Sequence, residues 1–232
     1  MPQKRGGLAE SLPALIARLA ELYSVEPPST EPFGLILWEN VGYLVNDVCR
    51  QALFDEFRAR VGQGAADILR ASDELLFDIA RRGGMRPDAR VARWRSIAEL
   101  VLQECQGDLT GVLRALPPAK ARSLLKRFPS IGDPGADKIL LFCGFDARPS
   151  VDSNGLRVLM RLGFLAPESS YAATYKKAVA LLARTCPPEP AWLISAYLVL
   201  REHGRRLCKR SAPLCMACPL DGLCAHAPAK GY

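Results

Sequence analysis

The sequence predicts an all-α protein, and three observations predict it. Apolar residues recur at three- and four-residue spacing through most of the 232 residues. Alternating apolar and polar runs, the mark of half-buried strands, are nearly absent, and short turns rich in glycine and proline join the periodic stretches. About ten helices follow from the pattern.

The first helix carries Leu12, Leu15, Ile16, Leu19 and Leu22 on one face. Residues 33–49, FGLILWENVGYLVNDVC, form one strongly apolar segment. Ser72 and Asp73 can cap a helix bearing Leu75, Leu76 and Ile79. Residues 88–105 repeat the spacing with Val91, Trp94, Ala98, Val101 and Leu102. Further helical stretches fall at 119–127, 134–143, 153–162, 170–185 and 190–203, and the proline-rich pieces at 26–32 and 187–190 are candidate joints.

Hydrophobic residues make up 49% of the chain, enough for one large domain or two small lobes. Basic residues outnumber acidic ones 31 to 24, a net charge of +7. The surplus gathers most clearly at Arg201, Arg205, Arg206, Lys209 and Arg210. Such a stripe either follows a phosphate backbone or is a solvated face. The polar start MPQKRGGLAE has no signal-peptide pattern, and no apolar run approaches the roughly 18 residues of a membrane span. No membrane partner is expected.

Of eight cysteines, Cys49, Cys105, Cys143 and Cys186 are scattered on apolar or helical stretches. The other four lie in CKRSAPLCMACPLDGLC, residues 208–224, with the spacing C-x6-C-x2-C-x5-C. That distribution fits a reducing cytoplasm and one metal site better than a disulfide framework. Four thiolates within seventeen residues can close around zinc or a cubane iron–sulfur cluster. Structural zinc usually takes two close pairs, whereas Cys208, Cys215, Cys218 and Cys224 give one close pair with two flanking singles. The spacing resembles the [4Fe-4S] loop of endonuclease III-type DNA glycosylases, in the helix-hairpin-helix superfamily. His203-Gly204-Arg205 resembles that family's approach to its first cysteine.

Residues 128–138, FPSIGDPGADK, extend the resemblance to the hairpin itself. Gly132 frees the backbone for a tight turn and leaves room for a partner. Asp133 can cap the next helix, with Pro134 at its first position. Free N–H groups at a helix start hold phosphate. Lys120, Arg122, Lys126 and Arg127 on the preceding helix add attraction. A bare turn of this composition also serves simply to turn a corner. With the cysteine loop downstream, Ser130, Ile131, Gly132 and Gly135 are expected to face DNA.

The resemblance spans about residue 8 to Cys224. It implies a six-helix barrel with the hairpin over 30–145, a cluster domain built from 1–29 and 146–232, and a DNA-binding cleft between the two lobes. The [4Fe-4S] cluster would be structural, and Lys209 and Arg210 of its first loop would touch phosphate. The partner expected is double-stranded DNA carrying a lesion or mismatch, bound by a monomer in the cytoplasm at the nucleoid.

The resemblance also implies site residues. Asp152, in RPSVDSNGLRVLMRLGF (148–164), matches the family's helix-starting aspartate, and an ordinary N-cap is its structural alternative. Lyase-type members keep a Schiff-base lysine two residues after the hairpin's second glycine. Here that position is Pro134, which has no nucleophile, so hydrolysis by activated water is favoured. PFGLILWENVGYLVND aligns without gaps with the first barrel helix, ending at Asp47. Glu39 then falls where adenine- and thymine-mismatch glycosylases place a glutamate. Among Leu37, Trp38 and Val41 its carboxyl is expected to keep a proton and donate it to the departing base; a surface glutamate is the alternative. Leu44 stands where relatives place a glutamine that enters the gap left by a flipped base. Met85 corresponds to the intercalating wedge. Tyr43 is expected in the base pocket with Asn154, while Trp38 packs in the core.

Three readings follow. The first is a monofunctional DNA glycosylase of base-excision repair. The second is a glycosylase/lyase that uses Lys138, which leans back toward position 134. The third is a non-catalytic DNA-binding iron–sulfur protein. Lys138 itself is open between a nucleophile, a phosphate contact and a solvated charge.

Overall fold

In the computed structural model, which describes residues 10–227, the chain is helical, and its only β pairing among those residues is an isolated bridge. The sequence pattern leads to about ten helices; twelve α-helices form, with one 3-10 turn at Cys215–Ala217. The chain divides into two compact units. One comprises Pro27–Asp146, and the other the described residues up to Glu26 together with those from Ala147 onward. Among the described residues no helix is long and apolar enough to cross a membrane.

The Pro27–Asp146 unit holds α2 (Pro32–Asn40), α3 (Asp47–Arg60), α4 (Ala65–Arg70), α5 (Asp73–Ala80), α6 (Pro87–Cys105), α7 (Leu109–Ala115), α8 (Pro118–Leu125) and α9 (Asp133–Phe142). Its core includes Leu35, Ile36, Phe54, Phe57, Trp94, Ile97, Leu125 and Leu140, all at most 1% exposed. Phe57 meets Trp94 edge-on at 4.7 Å between ring centroids, a preferred aromatic geometry. Trp38, 8% exposed, belongs to this core as expected.

One expectation fails here. Residues 33–49 do not continue as a single helix to Asp47: α2 stops at Asn40, and Asp47 opens α3 with Asn46 as its cap. Gly42 and the left-handed Leu44 (φ 58°) break the helix. The released loop pairs with a second one, through Tyr43 N–H to Gly83 O at 2.8 Å and a parallel Tyr43–Gly84 bridge. Gly84 has φ 91°, and a Cβ there would lie 2.2 Å from Tyr43 O, so glycine is required for the two loops to touch. The hydrophobic pattern ran through the break because the loop residues Tyr43, Leu44 and Val45 are apolar, although Tyr43 and Leu44 are exposed.

The other unit holds α1 (Leu12–Leu22), α10 (Ser153–Leu162), α11 (Tyr171–Thr185) and α12 (Pro190–Arg206), followed by the cysteine loop. Helices α1 and α10 pack on α12. Leu15, Leu19, Leu159, Val199 and Leu200 are at most 2% exposed. This apolar face explains the strong periodicity of residues 12–22 and 153–162.

Candidate active site and cysteine cavity

The hairpin runs α8, Phe128-Pro129-Ser130-Ile131, Gly132, α9. Its left-handed residue is Ser130 (φ 64°), not Gly132, whose φ of −96° suits any residue. A Cβ on Gly132 would meet only Pro134 Cδ, at 3.9 Å. Nothing inside the protein demands glycine there, and what its absent side chain preserves is open space before the N-terminus of α9. Gly132 is also the N-cap, so Asp133 and Pro134 take the first two helical positions rather than cap and first. Asp133 turns back to Lys126 at 2.6 Å and Arg122 at 3.2 Å. Arg122 further grips Asp137, whose side chain is fully buried, at 2.5 Å, and Arg127 pairs with Glu104 at 2.7 Å. These three cations, expected to attract phosphate, are therefore engaged within the protein. Ile131 is buried under the turn, while Ser130 and Gly132 are exposed and Gly135 half-buried.

Asn40 fixes α2 against the turn. Its amide donates to Ile36 O at 2.9 Å and Pro129 O at 3.1 Å, while Trp94 Nε1 donates to Asn40 O at 3.1 Å. One residue earlier, Glu39 forms an ion pair and hydrogen bond with Lys138 of α9. The Lys138 side chain is 5% exposed and that of Glu39 32%, so the carboxylate lies outward and the ammonium behind it. This corrects two expectations. Lys138 is neither a solvated charge nor a surface phosphate contact, and Glu39 is not a lone carboxyl among apolar neighbours. Nearby, burial pushes the Cys143 thiol up to about 12, with Glu31 raising it further and Lys138 opposing. Cys143 stays a neutral thiol.

The paired loops present Tyr43, Leu44 and Met85, which are 53%, 78% and 63% exposed. Arg90, 1% exposed, lies beneath them and donates to Ala80 O at 2.5 Å and Met85 O at 2.9 Å. Its significance could not be read from sequence, where it looks like one more arginine on a charged helix. Met85 is not a core residue; Leu44 and Met85 are apolar prongs on a buttressed platform.

In the other unit, Asp152 caps α10. Its Oδ1 accepts from Asn154 N–H at 3.0 Å and Gly155 N–H at 2.8 Å, and its Oδ2 accepts from Asn154 Nδ2 at 2.9 Å. Arg201 Nε stands 3.6 Å from Oδ2. Asn154, expected in the base pocket, has its amide oxygen taken by Arg157 at 2.9 Å, so both ends of its amide are engaged within the protein. Arg157 also donates to Gly204 O at 2.8 Å and Cys208 O at 2.9 Å. Tyr171 lies in the field of Asp152; its phenol is raised first by burial and then by that carboxylate. Of the basic stripe, Arg205 and Arg206 both pair with Glu202. Lys209 and Arg210 remain exposed.

All four of Cys208, Cys215, Cys218 and Cys224 line one cavity, together with apolar Leu162, Leu207 and Leu220. Donors point at the sulfurs: Leu220 N–H reaches Cys218 Sγ at 3.4 Å and Arg161 Nη1 reaches Cys208 Sγ at 3.4 Å. Burial raises the Cys218 and Cys224 thiols. His203 bridges Tyr23 Oη at 3.1 Å and Cys218 Sγ at 3.7 Å. Burial lowers its imidazole to about 4, so it is neutral near pH 7. Among the described residues no three His, Cys, Asp or Glu side chains converge on a position for a single metal ion.

No family model matches the chain. In sequence it is 28% identical to endonuclease III of Thermotoga maritima over 215 residues, 87% of this chain and 86% of that protein. It is 26% identical to endonuclease III of Sulfolobus acidocaldarius over 174 residues, 75% of this chain and 72% of that one. Thymine-DNA glycosylase of Aeropyrum pernix is 26% identical over 106 residues, about half of each chain (46% and 48%). In structure, a trapped endonuclease III–DNA covalent intermediate superposes with a TM-score of 0.72 at 20% identity, over 91% of this chain and 93% of that one. A thermostable thymine-DNA glycosylase gives 0.71 at 16% identity, over 91% of this chain. The fold is thus that of an endonuclease III-like helical protein. In sequence as in fold, the chain is similar to endonuclease III and thymine-DNA glycosylase.

Proposed function

We propose that this protein removes a damaged or mismatched base from double-stranded DNA by hydrolysing its N-glycosidic bond, without a lyase step. The observation that carries the second half is the fate of the lysine. Pro134 offers no amine, and the one lysine a helical turn beyond it is buried against Glu39. An amine that must attack a sugar carbon needs to be uncharged and accessible; a carboxylate-paired ammonium is neither.

The rest of the chemistry rests on two carboxylates. Asp152, oriented by three N–H donors, supplies fixed negative charge to an oxocarbenium-like sugar as the base departs, and Glu39 is the second carboxylate. The glycosidic bond is out of reach inside a stack, so the nucleotide is flipped. Leu44 and Met85 are the side chains suited to fill the gap. Gly132, Ser130 and the free amides of α9 take a phosphate, and Lys209 and Arg210 take another.

The cysteine cavity supports a [4Fe-4S] cluster. It brings four thiols, apolar walls and sulfur-directed donors together. Cys208, Cys215, Cys218 and Cys224 would hold it, and when bound it would fix the 208–224 loop as a structural staple.

The test is single-turnover cleavage of single-lesion duplexes with and without hot alkali, alongside borohydride trapping. Base release that needs alkali for strand scission, with no trapped complex, is expected. A trapped complex lost in Lys138→Ala would overturn the hydrolytic reading, and binding without release from any duplex would leave only a DNA-binding protein.

A further inference from the structure

We infer that His203 is a positioning residue for the cysteine cavity: backed by Tyr23, it supplies an N–H to the Cys218 sulfur and so sets how tightly the cluster is kept and how easily it is reduced. The inference rests on the reading that Cys208, Cys215, Cys218 and Cys224 hold a [4Fe-4S] cluster.

His203 lies in the last turn of α12 and reaches the cysteine loop twice. Its carbonyl accepts from Leu207 N–H at 3.0 Å and Cys208 N–H at 2.9 Å, which leads the chain from the helix into the loop. Its ring, in a residue 2% exposed, stands between Tyr23 Oη at 3.1 Å and Cys218 Sγ at 3.7 Å. One residue therefore ties down two of the four cysteines, by its backbone at Cys208 and by its side chain at Cys218. The adjoining Gly204 lets this happen. A Cβ there would lie 2.8 Å from both Cβ and O of Asn154, so glycine allows α12 to lie directly on the start of α10. That contact fixes the rotation of α12 that turns His203 toward the cavity.

The direction of the hydrogen bond follows from chemistry. A thiolate bound to iron has no proton and can only accept. Nε2 is then the N–H donor, and Nδ1 is left to accept from the Tyr23 hydroxyl. Burial holds the Tyr23 phenol above its ordinary value, so it keeps the proton it donates. A doubly protonated ring would still donate from Nε2, so the contact to sulfur does not depend on the charge of the histidine. Tyr23 ends α1, and Arg206 covers its ring at 5.7 Å. A single hydrogen-bonded line thus runs from α1 through His203 to Cys218.

A buried histidine that only fills space would need its two nitrogens satisfied and nothing more. A donor to a ligand sulfur does something further. It draws electron density from the sulfur, which favours the reduced cluster and raises its reduction potential. Outer partners of this kind change metal affinity by about 10- to 100-fold.

The experiment follows the visible iron–sulfur absorbance of the purified holoprotein during exposure to an iron chelator, and measures the reduction potential of the cluster. Wild type is compared with His203→Leu, His203→Gln and Tyr23→Phe. His203→Leu keeps an apolar side chain without a donor. It is expected to lose its absorbance about tenfold faster than wild type and to show a lower reduction potential. His203→Gln carries an amide that can donate, and should recover most of both. Tyr23→Phe removes only the hydroxyl that fixes the tautomer, and should move both in the same direction by less. The potential is read from cluster-loaded molecules alone, so a fraction of unfolded protein does not shift it. A wild-type potential and bleaching rate in His203→Leu overturn the inference, as does a folded His203→Gln that behaves like His203→Leu. If His203→Leu takes up no cluster, Tyr23→Phe decides: a lowered potential supports the relay and an unchanged one overturns it. A wild-type protein that carries zinc or no metal fails at the earlier step, the cluster reading itself, and the inference falls with it.

Discussion

Glu39 and Asp152 are the same kind of group held in two different ways. Asp152 is oriented by its own neighbours in sequence: the amides of residues 154 and 155 and the Asn154 side chain. Glu39 is held by Lys138, 99 residues away on another helix. The first arrangement forms as soon as α10 starts, because any helix beginning has N–H groups to satisfy. The second exists only if α2 and α9 are packed in the correct register. One carboxylate is fixed by local geometry and the other by the tertiary fold, so they should fail under different insults.

The largest effect is expected at the locally held group. Asp152→Asn keeps the size and part of the capping but removes the charge, and excision should fall by about 10³-fold, in the range of losing one preorganised electrostatic group. The melting temperature should move little, since asparagine also caps well. A large loss of stability with retained specific activity would mean that Asp152 is only a cap.

The tertiary arrangement is best broken away from Glu39. Arg122 bridges the hairpin to Asp137, the neighbour of Lys138, whose carboxylate is fully buried. Arg122→Met should cost up to about 3–5 kcal/mol by removing one partner of that buried charge, read from chemical denaturation. Below the melting transition, residual excision should fall together with the Glu39-dependent part of the rate, while the α10 cap remains. If Arg122→Met is neutral, α9 is not held through this pair. A smaller effect is expected at Asn154→Ala, which removes one of three donors to Asp152 and a partner of Arg157. About a tenfold slower release, equal to roughly 1.4 kcal/mol, with unchanged DNA affinity would identify it as a positioning residue. Weakened binding instead would return it to the base pocket.

This contrast also explains what was legible in the sequence. Most helix positions, the cysteine spacing and the Asp152 cap are written in local patterns, though α3, α4 and α7 were not picked out. The break after Asn40 was hidden because Tyr43 to Val45 are as apolar as the helix before them, and the reason for the turn is a partner loop 40 residues on. Arg122, Lys126 and Arg127 looked like a phosphate stripe because a sequence shows charges but not their partners. Glu39 gave the same difficulty: its local neighbours are apolar, and only the fold reveals Lys138. Nonlocal ion pairs leave no periodic trace, whereas caps do.

The finest test concerns the turn that sets the register of α9. Ser130 sits at φ 64°, where a Cβ-bearing residue pays a steric penalty that glycine avoids. Its side chain makes one exposed contact, accepting from Arg93 Nη1 at 3.3 Å, which is worth little in water. Glycine also costs more backbone entropy on folding, and the two terms oppose. Relief of strain should win modestly, so Ser130→Gly is expected to stabilise by about 0.5–1 kcal/mol, a rise of about 1–4 °C in Tm for a chain of this size. If the hydroxyl contributes only that contact to Arg93, excision should be unchanged. If Ser130 itself grips phosphate, the variant should be more stable yet bind DNA less tightly, with a shallower salt dependence of affinity. Greater stability with weaker binding would mark a residue kept in a strained conformation for its contact with DNA.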